Sequence, residues 1–373
     1  MYGYKVVLIA ALAVALYTLY NCMYNLYFHP LSRFPGPRLA ALGHLYDLWY
    51  DCIKDGRYAW KVKEMHLKYG PIVRVNCREL HILDPDFYSS IYSGAGKGRV
   101  DKDPVTTAGF TVPNATLGTI EHAHHRARRE VLSPYFSKRA VVGLEPVINS
   151  LIARLVSRFT DFSDTGEAVD LDAAFAALTG DIISTYVFGF SWNFLDVEDF
   201  KFPQRDGILG LINWYHWSTF VPQAAKILRQ LPLSILQIIH PGIASMETAR
   251  LEVRQQLAAA VKGRPRQDNK PETSPGLETL DGEAAIVSAL HNGTLPPEER
   301  TIDRMTDEGM TLIFAGTETT GRTLAVTMFH VLNNRAYLER LRKELADAVP
   351  ECLGQNYQFS MTQIDQLPFL VSH

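Results

Sequence analysis

The stretch Phe314-Ala315-Gly316-Thr317-Glu318-Thr319-Thr320 sets two small residues one turn ahead of an acid and an alcohol, inside a long apolar run. A buried helix ordinarily carries neither feature. Gly costs about 1 kcal/mol against Ala in a helix interior, and a buried carboxylate costs more unless it is paired or neutralised. Both in one buried turn predict room for a small ligand beside a route for protons. The alternative is a core helix with a small-residue packing patch and a Thr bonded to its own backbone.

A second cluster is His122-Ala123-His124-His125-Arg126-Ala127-Arg128-Arg129-Glu130. A metal site is one reading, but neutral His ligands beside three arginines suit a cation poorly. A solvated basic helix face is another. Within the cluster, His125 and Arg129 stand at i,i+4, on one helix face.

The elements that must carry these residues are mostly helical. Residues 39–69 read as helix, and Gly70-Pro71 breaks the chain. Ile72, Val73 and Val75, then Leu80, Ile82 and Leu83, predict a small hairpin around Asn76-Cys77-Arg78-Glu79. Asp84-Pro85-Asp86 starts another helix. Residues 121–260 follow a helical pattern, interrupted near 161–166, 196–202 and Pro232. Residues 262–280 are polar and Pro-rich, the composition of a loop. Pro296-Pro297-Glu298-Glu299 opens the next helical region with acids in its first turn. One helix then runs from about Ile302 to Asn333, roughly 45 Å by rise per residue. A last one, residues 338–349, has Glu339/Lys343 and Arg340/Glu344 as surface pairs.

With 373 residues, 47% of them hydrophobic, the chain can bury a large core. Its formal charge is -3, from 37 basic and 40 acidic side chains. No global basic field recruits nucleic acid. The cysteines, Cys22, Cys52, Cys77 and Cys352, form no CxxC, which fits a reducing compartment better than a disulfide framework. Residues 6–28 hold no charge and as a helix span about 34 Å, enough for a bilayer core of about 30 Å. Tyr17, Tyr20, Tyr24 and Tyr27 weight the far half as interface anchors would. The run is too long for an ordinary cleaved signal, so a retained transmembrane helix is expected after a tail of residues 1–5. Lys5 precedes the span while Arg33, Arg38 and Lys54 follow it, a balance that places the bulk of the chain in the cytosol. A Pro-rich hinge, 29–38, then leads into one domain, 39–373. Asn114-Ala115-Thr116 and Asn292-Gly293-Thr294 match the glycosylation sequon, and in the cytosol they stay bare.

The turn of residues 315–320 resembles the oxygen-binding helix of the cytochrome P-450 monooxygenases. The Phe28-His29-Pro30-Leu31 start, the Leu295-Pro296-Pro297-Glu298-Glu299 lead-in and the order of elements are similar to fungal secondary-metabolism members. The resemblance implies a mostly α fold with a small β-sheet. It implies a membrane-bound, haem-dependent monooxygenase of the endoplasmic reticulum that oxidises a lipophilic small molecule with electrons from an NADPH-dependent reductase. It assigns Thr319 as the hydrogen-bonding alcohol and Glu318 as the relay acid. Ala315, Gly316 and Thr320 form the oxygen pocket, and His125 and Arg129 contact the haem propionates, with His125 where the family has Trp.

Family members bind iron through a cysteine in a Phe-x-x-Gly-x-x-x-Cys loop, braced by a late Glu-x-x-Arg helix. None of the four cysteines has that context. Glu247/Arg250 and Glu339/Arg342 match the four-residue pattern but lie too early, and read as surface pairs. The chain is therefore expected to lack the C-terminal part of such a domain and its axial metal ligand. It is expected not to retain the b-type thiolate-ligated haem; a catalytically inactive remnant is the alternative function.

Overall fold

The computed structural model describes residues 2–92, 98–110, 112–221, 227, 230–263, 285–292, 295–348 and 359–371. The chain divides into two compact units, one of residues 1–101 and 212–229, the other of 102–211 and 230–373.

The first unit begins with helix α1, Tyr2–Met23, prolonged by a π turn at Tyr24–Phe28. The apolar segment Tyr4–Phe28 is long enough to cross a membrane and none of it is buried. The following Pro-rich stretch is not a bare linker. Arg74 N–H donates to the Pro35 carbonyl at 2.8 Å, and a Cβ on Gly36 would stand 2.3 Å from the Arg74 carbonyl oxygen, so only Gly allows this approach. Residues 39–69 do not form one helix. Short turns at Arg38–Leu42 and Leu45–Leu48 and a π turn at Trp49–Ile53 precede helix α2, Tyr58–Tyr69. The breaks fall at Gly43 and at Asp55-Gly56, both of the latter with positive φ, where L residues are disfavoured. The expected hairpin forms: β1, Ile72–Arg74, pairs antiparallel with β2, Leu80–Ile82, in the register Val73 to His81. Val62, Met65, Val73 and Val75 make the small core beneath it.

The second unit holds α3 (His122–Leu132), α4 (Glu145–Thr165), α5 (Leu171–Phe188) and the start of α6 (Pro203–Phe220). After these come α7 (Pro241–Gly263), α8 (Ala285–Asn292), α9 (Ile302–Asn333) and α10 (Arg335–Ala348). The predicted long helix and α9 coincide. Its N-cap is Thr301, which accepts from Arg304 N–H, the role short polar side chains play at helix starts. Most of the predicted loop 262–280 lies outside the described residues.

Helix α5 is apolar on nearly every side, the pattern of a fully surrounded helix. It also has the length to span a bilayer, but 72% of it is buried, so it is the central core helix. Its Asp170 cap accepts from Asp172 and Ala173 N–H, and Gly189, left-handed, ends it. Small residues let α5 meet α9 closely: a Cβ on Gly321 would lie 2.9 Å from the Ala176 backbone. Thr179 Oγ1 donates to the Thr317 carbonyl at 2.8 Å across the same contact. Two apolar clusters flank it, one around Val187, Met305 and Ile313, the other around Ala176, Leu195 and Phe200.

The surface pairs expected on α10 differ. Glu339 pairs with Arg335 at 2.7 Å. Glu344 accepts the backbone N–H groups of Phe369 and Leu370, while the Arg340 guanidinium lies over the Phe369 ring. Glu344 caps a helix turn instead of meeting Arg340, because carboxylates near backbone donors outcompete an exposed ion pair. Arg250 does meet Glu247, at 3.6 Å, but its shorter pair, 2.7 Å, is with the buried Asp307.

Candidate functional site

Seven consecutive residues of α9 divide between two faces, because each helical step turns about 100°. Thr317 is fully buried against α5, whereas Ala315, Thr319 and Thr320 are exposed. The expectation of one buried turn therefore holds for only part of it. Gly316 is turned toward α5: a Cβ there would meet Ile183 Cγ1 at 3.0 Å, so its missing side chain serves helix packing. Thr319 Oγ1 donates to the Ala315 carbonyl at 2.6 Å. That bond occupies the hydroxyl proton while leaving its lone pairs open.

Glu318 does not accompany Thr319. Its carboxylate accepts from Arg205 Nε at 2.8 Å and from Arg205 Nη2 at 3.3 Å. Arg205 also donates to Asp172 Oδ2 at 2.6 Å, and Asp172 pairs with Arg322 at 2.8 Å. Only 12% of the Glu318 side chain and 13% of the Arg205 side chain are exposed. The result is a four-membered charge chain, α5–α6–α9, nearly buried at Arg205 and Glu318 and open to solvent at Arg322, that sequence reading missed. The partners stand 113 residues apart, beyond any local pattern. Burial works against the Arg205 charge, but Glu318 and Asp172 together raise its pKa above the ordinary value.

On α3 the basic residues part ways as well. His124 and Arg128 turn inward. His124 Nε2 meets Glu299 Oε1 at 2.6 Å, and Arg128 meets Glu299 through Nε at 2.7 Å and Nη2 at 2.8 Å. Arg304, 1% exposed, adds a bond from Nε to Glu299 at 2.9 Å and an ion pair with Glu308. Burial pushes the Glu299 carboxyl up, but hydrogen bonds from Arg128 and His124 and the charges of Arg128 and Arg304 overcome it and hold it at about 2. Two further acids of α9 tie down the loop before α3. Asp307 accepts from Asn114 N and Nδ2, at 3.2 and 2.9 Å. Glu308 accepts from Thr116 N and Oγ1, both at 2.8 Å. Buried charges cost several kcal/mol each unless fully bonded. Their pairing here fixes the position of α3 relative to α9.

That leaves His125, half-buried, and Arg129, exposed, on the other side of α3. Burial, then the charges of Lys102 and Arg129, hold His125 below the ordinary imidazole value. Lys102 Nζ donates to the carbonyls of Thr116 and Leu117 at 3.1 and 2.9 Å. His125, Arg129 and Lys102 are thus a group of donors with an excess of positive charge, the chemistry that suits carboxylates.

The haem implied by the resemblance can be tested against these residues. Its propionates fit the donor set of His125 and Arg129, and its distal side fits the open face of α9 at Ala315 and Thr319. The described cysteines, Cys22, Cys52 and Cys77, all belong to the first unit, and Cys352 lies outside the described residues. Among the described residues the second unit offers no axial thiolate. A small cavity between α9, α6, α7 and the segment after α5 is lined by Trp192, Phe194, Ile208, Met246, Met310 and Thr317, and Thr317 Oγ1 is buried and unbonded.

Comparison with known proteins identifies the family. The cytochrome P450 family model matches residues 35–372. The cytochrome P450 monooxygenase TRI4 of Fusarium sporotrichioides is 42% identical over 363 residues, 97% of this chain and 66% of that protein. The cytochrome P450 monooxygenase pbrB of Penicillium brasilianum is 41% identical over 358 residues, 96% of this chain and 68% of the relative. The conidiogenone synthase PchP450 of Penicillium rubens is 41% identical over 326 residues, 87% and 64% of the two chains. The chain thus spans about two thirds of the length of the curated relatives it matches. With a helical domain of this element order and a family match along nearly its whole length, the chain belongs to the cytochrome P450 family.

Proposed function

We propose that the protein serves as a membrane-anchored haem monooxygenase acting on a lipophilic small molecule, with electrons from an NADPH-dependent reductase. The observation that carries this reading is the pairing of two unlike faces: the open α9 face with Thr319, and the positive donors of α3, held together by the Glu299–Arg304–Glu308 network. A thiolate-ligated haem, when bound, supplies the oxygen-activating chemistry of the family. Arg129 brings the permanent charge for one carboxylate and His125 a neutral ring N–H for hydrogen bonding. Thr319 holds a proton at Oγ1 and can turn it from the Ala315 carbonyl toward a ligand above the face. Glu318 as relay acid would take and release protons at a carboxylate already bonded to Arg205, so that relay depends on Arg205 yielding one of its bonds. Tyr4–Phe28 serves as the anchor in the endoplasmic reticulum membrane, with the bulk of the chain cytosolic.

The test uses microsomes carrying the protein. Carbonate extraction should leave the chain in the membrane fraction; release would remove the anchor from this reading. Haem content and the ratio of peroxide to product are then compared for Thr319→Ala and Arg129→Ala in a chain carried on through the family's Phe-x-x-Gly-x-x-x-Cys loop. Thr319→Ala should keep haem and leak peroxide, since one positioned proton-transfer group is worth about 10²–10⁴-fold. Arg129→Ala should lose haem through loss of a charge-assisted partner. The opposite pattern would reverse the two helices. A protein that takes up no haem would leave the alternative, an inactive remnant.

A further inference from the structure

In the first unit, which holds none of the residues assigned above to the proposed monooxygenase site, three side chains line up as acid, imidazole and thiol. Cys77, in the turn between β1 and β2, places Sγ 3.3 Å from His44 Nε2. The opposite ring nitrogen, His44 Nδ1, stands 3.0 Å from Asp47 Oδ2. Asp47 is buried, 5% exposed, and its carboxylate also accepts from Leu48 N–H and from Asn76 Nδ2, each at 3.2 Å. A carboxylate only accepts, so Nδ1 carries the hydrogen and Nε2 is the atom that faces the sulfur. Base and orienting acid thus stand in the order that activates nucleophiles on unrelated folds.

The support around the thiol is rigid. Arg74, 3% exposed, donates to the Cys77 carbonyl at 2.7 Å, the Asn76 carbonyl at 3.2 Å and the Asn25 carbonyl at 2.7 Å. Asn76 Oδ1 accepts from Arg78 N–H at 2.9 Å. Access remains, since Cys77 is only half-buried and 41% of the His44 side chain is exposed. The charged groups around the pair are Asp47, Arg74 and Glu79, the last bonded to Asn76 and 3.7 Å from Arg78. The hydrogen bond to Asp47, then the one to Cys77, outweighs burial and pushes the His44 imidazole up to about 10. Cys52 is the contrast: burial, then Asp51 and Asp47, push its thiol up to about 11.

We propose that Cys77 is an activated thiol and a site of S-thiolation by small disulfides of the glutathione class, with His44 as its base and Asp47 as the residue orienting His44. The Cys77 proton passes to His44 Nε2. The thiolate attacks one sulfur of the disulfide; a Cys77–sulfur bond forms as the disulfide's own S–S bond breaks. The departing thiolate leaves with that electron pair and takes the proton from His44. One thiol and one disulfide become one mixed disulfide and one thiol, with no other oxidant.

The experiment treats the full chain, in detergent micelles, with glutathione disulfide across a pH series and reads each cysteine by peptide mass spectrometry. An ordinary thiol, with a pKa of about 8.5, speeds up about tenfold per pH unit below that value. Cys77 should change by less than about threefold between about pH 6 and pH 8, and at the lower end should outpace Cys52 by more than about tenfold. His44→Gln should restore the steep slope and slow Cys77 about tenfold at about pH 6. A steep slope at Cys77 in the unaltered chain, or a His44→Gln protein with the same rate and slope, would overturn the proposal. If that variant does not fold, thiolate absorbance of the unaltered chain against Cys77→Ser decides: a Cys77-dependent signal already present at about pH 6 supports the pairing, and its absence refutes it.

Discussion

Removing the Arg205 guanidinium should destabilise the second unit more than removing either acid it holds. In Arg205→Met, Glu318 loses its only ion-pair partner among the described residues, while Asp172 keeps Arg322 at 2.8 Å. The stranded carboxylate is only 12% exposed. Breaking a buried pair from one side costs about 3–5 kcal/mol. In Glu318→Gln, Arg205 keeps Asp172 at 2.6 Å, and the amide oxygen still accepts from Nε. The loss there should be about 1–2 kcal/mol, the difference between a charged and a neutral acceptor. In the double variant no carboxylate is stranded, so it should regain about 1–3 kcal/mol of the Arg205→Met loss. Urea unfolding of the full chain in micelles, followed by far-UV circular dichroism, gives all three numbers. If the double variant is no more stable than Arg205→Met, or if Glu318→Gln costs as much as Arg205→Met, the pair is not the buried unit described above.

The Glu299 carboxyl, held at about 2, lies below its ordinary value, so it contributes stability above about pH 4.5 that is lost as pH falls toward 2; the shift corresponds to about 3 kcal/mol at most. Unfolding free energy measured down that range should fall in the unaltered chain, and Glu299→Gln should be less stable at neutral pH with that part of the slope missing. Asp181, fully buried, accepts Phe194 N–H at 2.9 Å and Leu195 N–H at 3.0 Å. Asp181→Ala orphans both donors and should cost about 2–6 kcal/mol in denaturant, at about 1–3 per group; a loss below about 1 would mean the turn finds other acceptors. Gly321→Ala gains about 1 kcal/mol of helix propensity. Its Cβ would press on the Ala176 backbone at 2.9 Å, which cannot swing aside like a side chain, so a net loss of about 1–2 kcal/mol is expected in a melting experiment.

Much of this molecule is written in local sequence. The uncharged run from Val6 to Phe28, the Thr301 cap, the unbroken period of α9 and the hairpin alternation between Ile72 and Ile82 each depend on neighbours within a few residues. Period, cap and turn signals report such neighbours directly. The family was legible for the same reason, since the 315–320 turn and the His125-to-Arg129 spacing are short patterns. Which way each side chain of those patterns points was not. Glu318 and Thr319 are adjacent in sequence, yet one is clamped by Arg205 on α6 and the other faces outward. Likewise Arg128 and Arg129 separate into a buried ion pair and an exposed donor. Gly316 makes room for Ile183, and Cys77 meets His44 across 33 positions. A helix presents residues to all sides, and only the packed neighbours decide which side is covered. The sequence therefore determined most of the helices and their order, though not the breaks at Gly43 and Asp55-Gly56; long-range packing decided which charges are satisfied and which groups stay free to act.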